Sequence, residues 1–154
     1  MVEVLSSAVA TGRFSFYERD DMLEFDATRQ ATARALSAAG LSLSDLDFAE
    51  IHDAFSVVAA LSLEAMGFSK KGEAARDAKD AKFERDRSFP INTFGGLKGR
   101  GHPVGATGTY QIAEAFLQLT GKAGQNQVKR AKYALAQNVG GVDTTATVHI
   151  LGRG

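Results

Sequence analysis

The chain has 154 residues, enough for one domain with a buried core, and its 44% hydrophobic and 23% charged content is that of an ordinary globular protein. Eighteen Lys and Arg balance eighteen Asp and Glu, so no net field draws it to nucleic acid or to an anionic membrane surface. Cysteine is absent, which excludes disulfides, cysteine-ligated zinc and any cysteine nucleophile from this chain.

No apolar run approaches the length of a membrane span, and Met1-Val2-Glu3-Val4 lacks the basic stretch and apolar core of a signal peptide. A cytoplasmic location is therefore expected, with no membrane contact. Residues Val2 to Ala10 are mostly apolar and β-compatible, as a buried strand should be. Asp20-Asp21 then precedes a helix over Met22 to Ala39, whose Leu23, Ala27, Ala31, Ala35 and Leu36 share one face, with Gly40 as its stop. Asp45 to Ile51 reads as a second strand, and Ala54 to Met66 as a second helix ended by Gly67. Residues 69–88 are dense in charges of alternating sign, which predicts a solvated, partly helical excursion with no binding role.

Phe89 to Asn92 reads as a third strand running into a glycine-dense loop, Gly95 to Gly108. That loop opens a helix, Ala106 to Leu119, on which Ile112, Ala115, Phe116 and Leu119 form an apolar face before Gly121. Lys132 to Gln137 and Thr144 to Leu151 complete five strands, joined by the turn Gly140-Gly141-Val142-Asp143. The order βαβαβαββ predicts a single α/β domain over 1–154, with a largely parallel sheet and helices on both faces.

Glycine at the density of Gly95 to Gly108 lets backbone approach a ligand closely, and the free N–H groups at the following helix start favour an anion or a developing oxyanion. The segment matches neither GxxxxGK[ST] nor a dinucleotide loop, because His102-Pro103 sits in its middle. His102 is the one residue of the run able to exchange a proton near neutral pH. The bland alternative is a buried histidine satisfied by backbone carbonyls.

Asn92-Thr93-Phe94-Gly95-Gly96 followed by Gly101-His102-Pro103-Val104-Gly105-Ala106-Thr107-Gly108 resembles the thiolase signature. His52-Asp53-Ala54-Phe55 resembles the HDCF motif of sterol-carrier-protein-type and archaeal thiolases, and Gln137-Asn138-Val139-Gly140-Gly141 lies where many thiolases have CxGxG. The resemblance covers essentially the whole chain and implies the C-terminal thiolase domain, a mixed five-stranded half whose N-terminal mate supplies an acylated cysteine. It implies that His102 deprotonates that cysteine and donates to the thioester oxygen, and that His52 holds a water or donates in the same oxyanion hole. The Gly140 N–H would serve a second oxyanion hole, and Phe55, Asn92 and Gly105 would bind substrate. Asn138 stays between a site role and a simple turn residue. The second acid/base cysteine of the family has no counterpart, since Ala54 and Asn138 occupy its two possible positions.

The resemblance thus implies half of an acyl-CoA acyltransferase, inactive alone, acting on a coenzyme A thioester as substrate with no cofactor and no metal. Its expected partners are an N-terminal thiolase half chain and further subunits of an oligomer. The alternatives are a subunit of a thiolase-like aldolase that cleaves 3-hydroxyacyl-CoA beside an OB-fold/zinc-ribbon protein, and a non-catalytic partner domain.

Overall fold

The first and last segments form two long strands, β1 (Val2–Thr11) and β4 (Thr145–Arg153), paired antiparallel with a register shift at Leu5. Strand β1 lies at the sheet edge and buries Ser6 and Ala10 while Val4 and Val9 stay exposed, so it is not the buried strand its composition predicts. The computed structural model describes residues 1–154, the side chain of Phe16 excepted. Between these strands lie α1 (Asp26–Ala39), β2 (Phe48–Glu50), α2 (Ser56–Met66), α3 (Ala74–Lys79), α4 (Gly96–Arg100), α5 (Thr107–Leu119) and β3 (Tyr133–Gly140). The sheet order is β1-β4-β3-β2, with β3 antiparallel to β4 and β2 parallel to β3. The sheet is mixed, with one parallel pair, and not largely parallel.

It has four strands where the sequence predicts five. The Phe89 to Asn92 segment reaches the edge of β2 but forms only a parallel bridge between Ile91 and Ala49. Pro90 offers a carbonyl to the Ala49 N–H at 3.0 Å but has no N–H of its own, and Asn92, at φ +46°, turns the chain away after donating to the Ala49 carbonyl. The first helix also starts later than predicted. The Asp21 carboxylate accepts the Leu23 N–H at 2.8 Å, leaving Met22 and Leu23 exposed ahead of α1. The helix start is instead fixed from the far end of the chain, where buried Asp143 accepts the N–H groups of Ala27 (2.8 Å) and Thr28 (2.9 Å) and the Thr28 hydroxyl (2.6 Å).

Helices cover both faces. On one side Ala27, Ala31 and Ala35 of α1, with Leu63 and Met66 of α2, pack on Ala10, Leu135, Val148 and Ile150. Small alanines let α1 lie close against the sheet, and each fully buried Leu or Ile contributes ~1.5–3 kcal/mol. On the other side Ala115 and Leu119 of α5 pack on Phe48, Ala134, Ala136 and Leu151. Helix α5 lies over β2 and β3 and leaves the β1 end of that face bare, with Val4 and Val9 exposed. The excursion 69–88 contains α3, tied down by the Lys82–Asp77 ion pair at 2.7 Å. Among the described residues no helix is long and apolar enough to cross a membrane.

Candidate functional site

The loops after β2 and β3 and the segment entering α5 converge at one end of the sheet, around an open cleft of about 550 Å³. His52, Phe55, His102, Asn138 and Gly140 line it, together with Ala54, Val104 and Val142. Five residues singled out in the sequence therefore meet here, although they come from three distant stretches of chain. The two imidazoles stand edge to face with ring centroids 5.1 Å apart.

Each ring is anchored through Nδ1. His52 Nδ1–H donates to Asn138 Oδ1 at 2.5 Å, and the His52 backbone N–H is held by the Gln137 side-chain oxygen at 2.9 Å. His102 Nδ1–H donates to the Thr107 hydroxyl at 2.6 Å, which itself donates to the Pro103 carbonyl at 3.2 Å. With its own proton directed to Pro103, that hydroxyl is free to accept from His102 Nδ1–H, and this is the tautomer that leaves a lone pair at Nε2. Both anchors leave Nε2 as the nitrogen available to the cleft. Burial holds the His52 imidazole below the ordinary histidine range, and the neighbouring His102 ring acts the same way, against the Asn138 hydrogen bond and the Asp53 charge.

Asn138 reaches His52 over the first turn of α5. A side chain at Gly108 would place its Cβ 2.7 Å from Asn138 Nδ2, so this position must be bare for the two to coexist. The loop ahead of His102 is fixed by the motif carboxylate. Asp53 accepts the Leu97 N–H at 2.7 Å, which ties the start of α4 to the segment that follows His52.

Asn92 and Gly105 are not part of the cleft wall. Asn92 uses its side-chain oxygen on the Ile51 N–H at 2.7 Å and its amide on the Ile51 carbonyl at 3.2 Å, bracing the strand end that carries His52. Phe55 is well exposed at the cleft mouth, and Gly140 ends β3. Sequence reasoning gave no role to Thr107 or to Gln137. Gln137 is fully buried, and its amide group reaches Thr28 and Ser62, each at 3.2 Å. A glutamine in the middle of an apolar strand was the signal for it. For Thr107 the signal was its place on the first turn of the helix that follows the histidine.

Among the described residues, no three His, Asp or Glu side chains are grouped as metal ligands. The cleft combines two oriented bases and open apolar walls, and no thiol is present to be activated. That set can move protons and stabilise developing negative charge, with any thiol nucleophile coming from outside these residues.

Residues 8–153 match the family described as thiolase C-terminal domain-like. The acetyl-CoA acetyltransferase of Methanothermobacter thermautotrophicus is 43% identical over 99% of this chain and 40% of its own length. Human sterol carrier protein 2 is 37% identical over 90% of this chain and 26% of its own length. Among solved structures, the Ltp2-ChsH2(DUF35) aldolase matches 98% of this chain and 39% of its own with a TM-score of 0.85 at 25% identity. A monomeric SCP2-thiolase like protein from Mycobacterium smegmatis matches 98% of this chain and 28% of its own with a TM-score of 0.70 and, at 20% identity, speaks to the fold alone. The chain thus spans at most about 40% of the length of these relatives. The match along nearly its full length means that the chain belongs to the thiolase C-terminal domain-like family.

Proposed function

We propose that this chain is the C-terminal half of a thiolase-type acyl-CoA acyltransferase, inactive alone, whose cleft histidines serve a cysteine carried by an N-terminal half. The observation that carries the reading is the pairing of His52 and His102 in one open cleft, each anchored through Nδ1 and neither facing a nucleophile of this chain. In this scheme His102 Nε2 takes the thiol proton of the partner cysteine, and the resulting thiolate attacks the thioester carbonyl carbon. The carbon–sulfur bond to coenzyme A then breaks, and the proton held by His102 passes to the departing thiolate. A water on His52 and the Gly140 N–H supply donors to the oxyanions, and Phe55 lines the acyl-CoA entry. Donors fixed in advance of the reaction are typically the largest single contribution to acyl transfer.

The bare β1 end of the α5 face supports a partner half, because Val4 and Val9 there are 59% and 54% exposed and Tyr110 and Phe116 project from α5 at 48% and 45%. A second reading has its own observations: Asn138 and Ala54 stand where the family's acid/base cysteine would be, and the aldolase structure is similar over nearly the whole chain. A retro-aldol step needs a base on the 3-hydroxyl and an oxyanion hole for the enolate, but no acyl-enzyme. Its expected partner is then an OB-fold/zinc-ribbon protein.

Pairing the full chain with a thiolase N-terminal half, and assaying thiolysis of acetoacetyl-CoA beside cleavage of a 3-hydroxyacyl-CoA, separates the two. Thiolysis that falls about a hundredfold or more in His102→Ala is expected. His102→Ala within about twofold of wild type in both assays would refute a catalytic role for the cleft.

A further inference from the structure

Beneath the two histidines lies a buried charge cluster that the proposed chemistry does not use. Glu50, the last residue of β2 and two positions before His52, is fully buried. Neither of its oxygens completes a hydrogen bond, and the groups acting on it are the Glu114 carboxyl, the Arg100 guanidinium and the Thr93 amide. Glu114 projects from α5 and is itself buried; its carboxylate meets Arg100 Nε at 2.5 Å. Arg100 is the last residue of α4, and its side chain is 13% exposed. From there it also donates through Nη1 to the Gly101 carbonyl at 3.1 Å, the peptide oxygen immediately before His102, while its guanidinium lies 5.1 Å from the Tyr110 ring centroid.

One side chain therefore joins α5, the end of α4 and the peptide that carries His102. We propose that Arg100 is a positioning residue, which the buried Glu50–Glu114 carboxyl pair holds in place and which fixes the orientation of the His102 ring against Thr107. Burial, reinforced by the Glu114 carboxyl, pushes the Glu50 carboxyl well above the ordinary carboxylate range. Glu50 is then a neutral acid able to share its proton with Glu114, so one guanidinium balances one carboxylate and the cluster closes without net charge. A second ionised carboxylate would instead compete for Arg100 and loosen its hold on Gly101.

The value of this device to catalysis rests on the reading of His102 given above, whereas the orientation of the ring can be measured without it. In the full chain labelled with nitrogen-15, the side-chain resonances of the three histidines report which ring nitrogen carries the proton. Wild type is expected to show His102 in a single form protonated at Nδ1. Arg100→Lys keeps a cation beside Glu114 but cannot span to Gly101, so His102 should become averaged between tautomers while His52 and His149 stay unchanged. Glu50→Gln keeps shape and a donor toward Glu114 and should leave His102 as in wild type, whereas Glu114→Gln should loosen it as Arg100→Lys does. Should Arg100→Lys not fold, the contrast between Glu50→Gln and Glu114→Gln decides alone. Unchanged His102 resonances in folded Arg100→Lys or Glu114→Gln, or averaging in Glu50→Gln, would overturn the proposal. In the two-half enzyme, Arg100→Lys should lower kcat about ten- to a hundredfold with KM nearly unchanged. Altered resonances with unaltered kcat would leave the positioning intact and count against His102 as the base.

Discussion

Gly96→Ala measures how much of the glycine-dense loop is fixed by contacts. Gly96 opens α4 at φ +58°, and an added Cβ would lie 2.5 Å from both Asn92 Nδ2 and Asp53 Oδ2. An L side chain in the left-handed region costs about 1–2 kcal/mol, and forcing two packed polar groups apart adds about 1–3 kcal/mol. Displacing Asp53 also weakens its bond to the Leu97 N–H, a further ~1 kcal/mol. The expected loss is about 3–6 kcal/mol on these principles. Gly99→Ala is the matched control, since it lies inside α4 with nothing within 4 Å of its added Cβ and no positive φ. It should be neutral or stabilising by up to about 1 kcal/mol. Urea denaturation of the full chain, followed by circular dichroism and compared at equal slope, reads both. A Gly96→Ala midpoint equivalent to a change below about 0.5 kcal/mol would refute the claim that Asp53 and Asn92 clamp this turn.

Asp143→Asn should destabilise the chain by about 1–3 kcal/mol, because an amide cannot accept both backbone N–H groups of α1 and the Thr28 hydroxyl as the carboxylate does; a loss confined to the cleft, with an unchanged denaturation midpoint, would contradict the capping role. The His52 imidazole, held below its ordinary value by burial, gives stability that is full above the unfolded value of 6.5 and is lost as pH falls through the folded one. The slope cannot exceed about 1.4 kcal/mol per pH unit, the limit for one group. His149 shifts in the same direction through burial, so the measurement is the difference between wild type and His52→Gln across pH 5 to 7; parallel curves would show that His52 is not buried as described.

Periodicity made most of the architecture legible. Alternation along β4, the alanine face of α1 and the apolar stripe of α5 each report a buried side, which local sequence carries directly, whereas the apolar composition of β1 did not show that it is an exposed edge. Three features depended on contacts between distant residues. The third strand shrank to a bridge because Asn92 spends its side chain on Ile51 and leaves the sheet. The start of α1 was misplaced because its cap, Asp143, lies 116 positions away from Ala27. Helix α4 was invisible in a run of glycines, which locally argue against a helix and are held there by Asp53. At the site the motif residues were legible by type, but the groups that orient them, Thr107, Gln137 and the Arg100 cluster, were not. A glutamine within an apolar strand signals burial, but nothing in local sequence names the distant partners it meets.

The anchoring of both rings through Nδ1 has a consequence for how the cleft can work. With both imidazoles neutral, each presents a lone pair at Nε2 and neither offers a donor to an oxyanion. A proton taken from a partner thiol turns one ring into a donor, and burial disfavours that proton on His52. In the proposed reaction His102 is then the ring that gains and returns the proton, while His52 stays neutral and accepts a hydrogen bond from a water whose other hydrogen points at the substrate oxygen. Two similar residues 5.1 Å apart acquire different tasks from their surroundings: burial disfavours the proton on His52, whose Nδ1 is held by a half-buried amide, while a hydroxyl holds His102. Asn138, which the sequence leaves open between site and turn, is on this argument the residue that fixes the His52 ring with Nε2 toward the water, while burial, against the Asn138 hydrogen bond, keeps His52 from competing for the thiol proton.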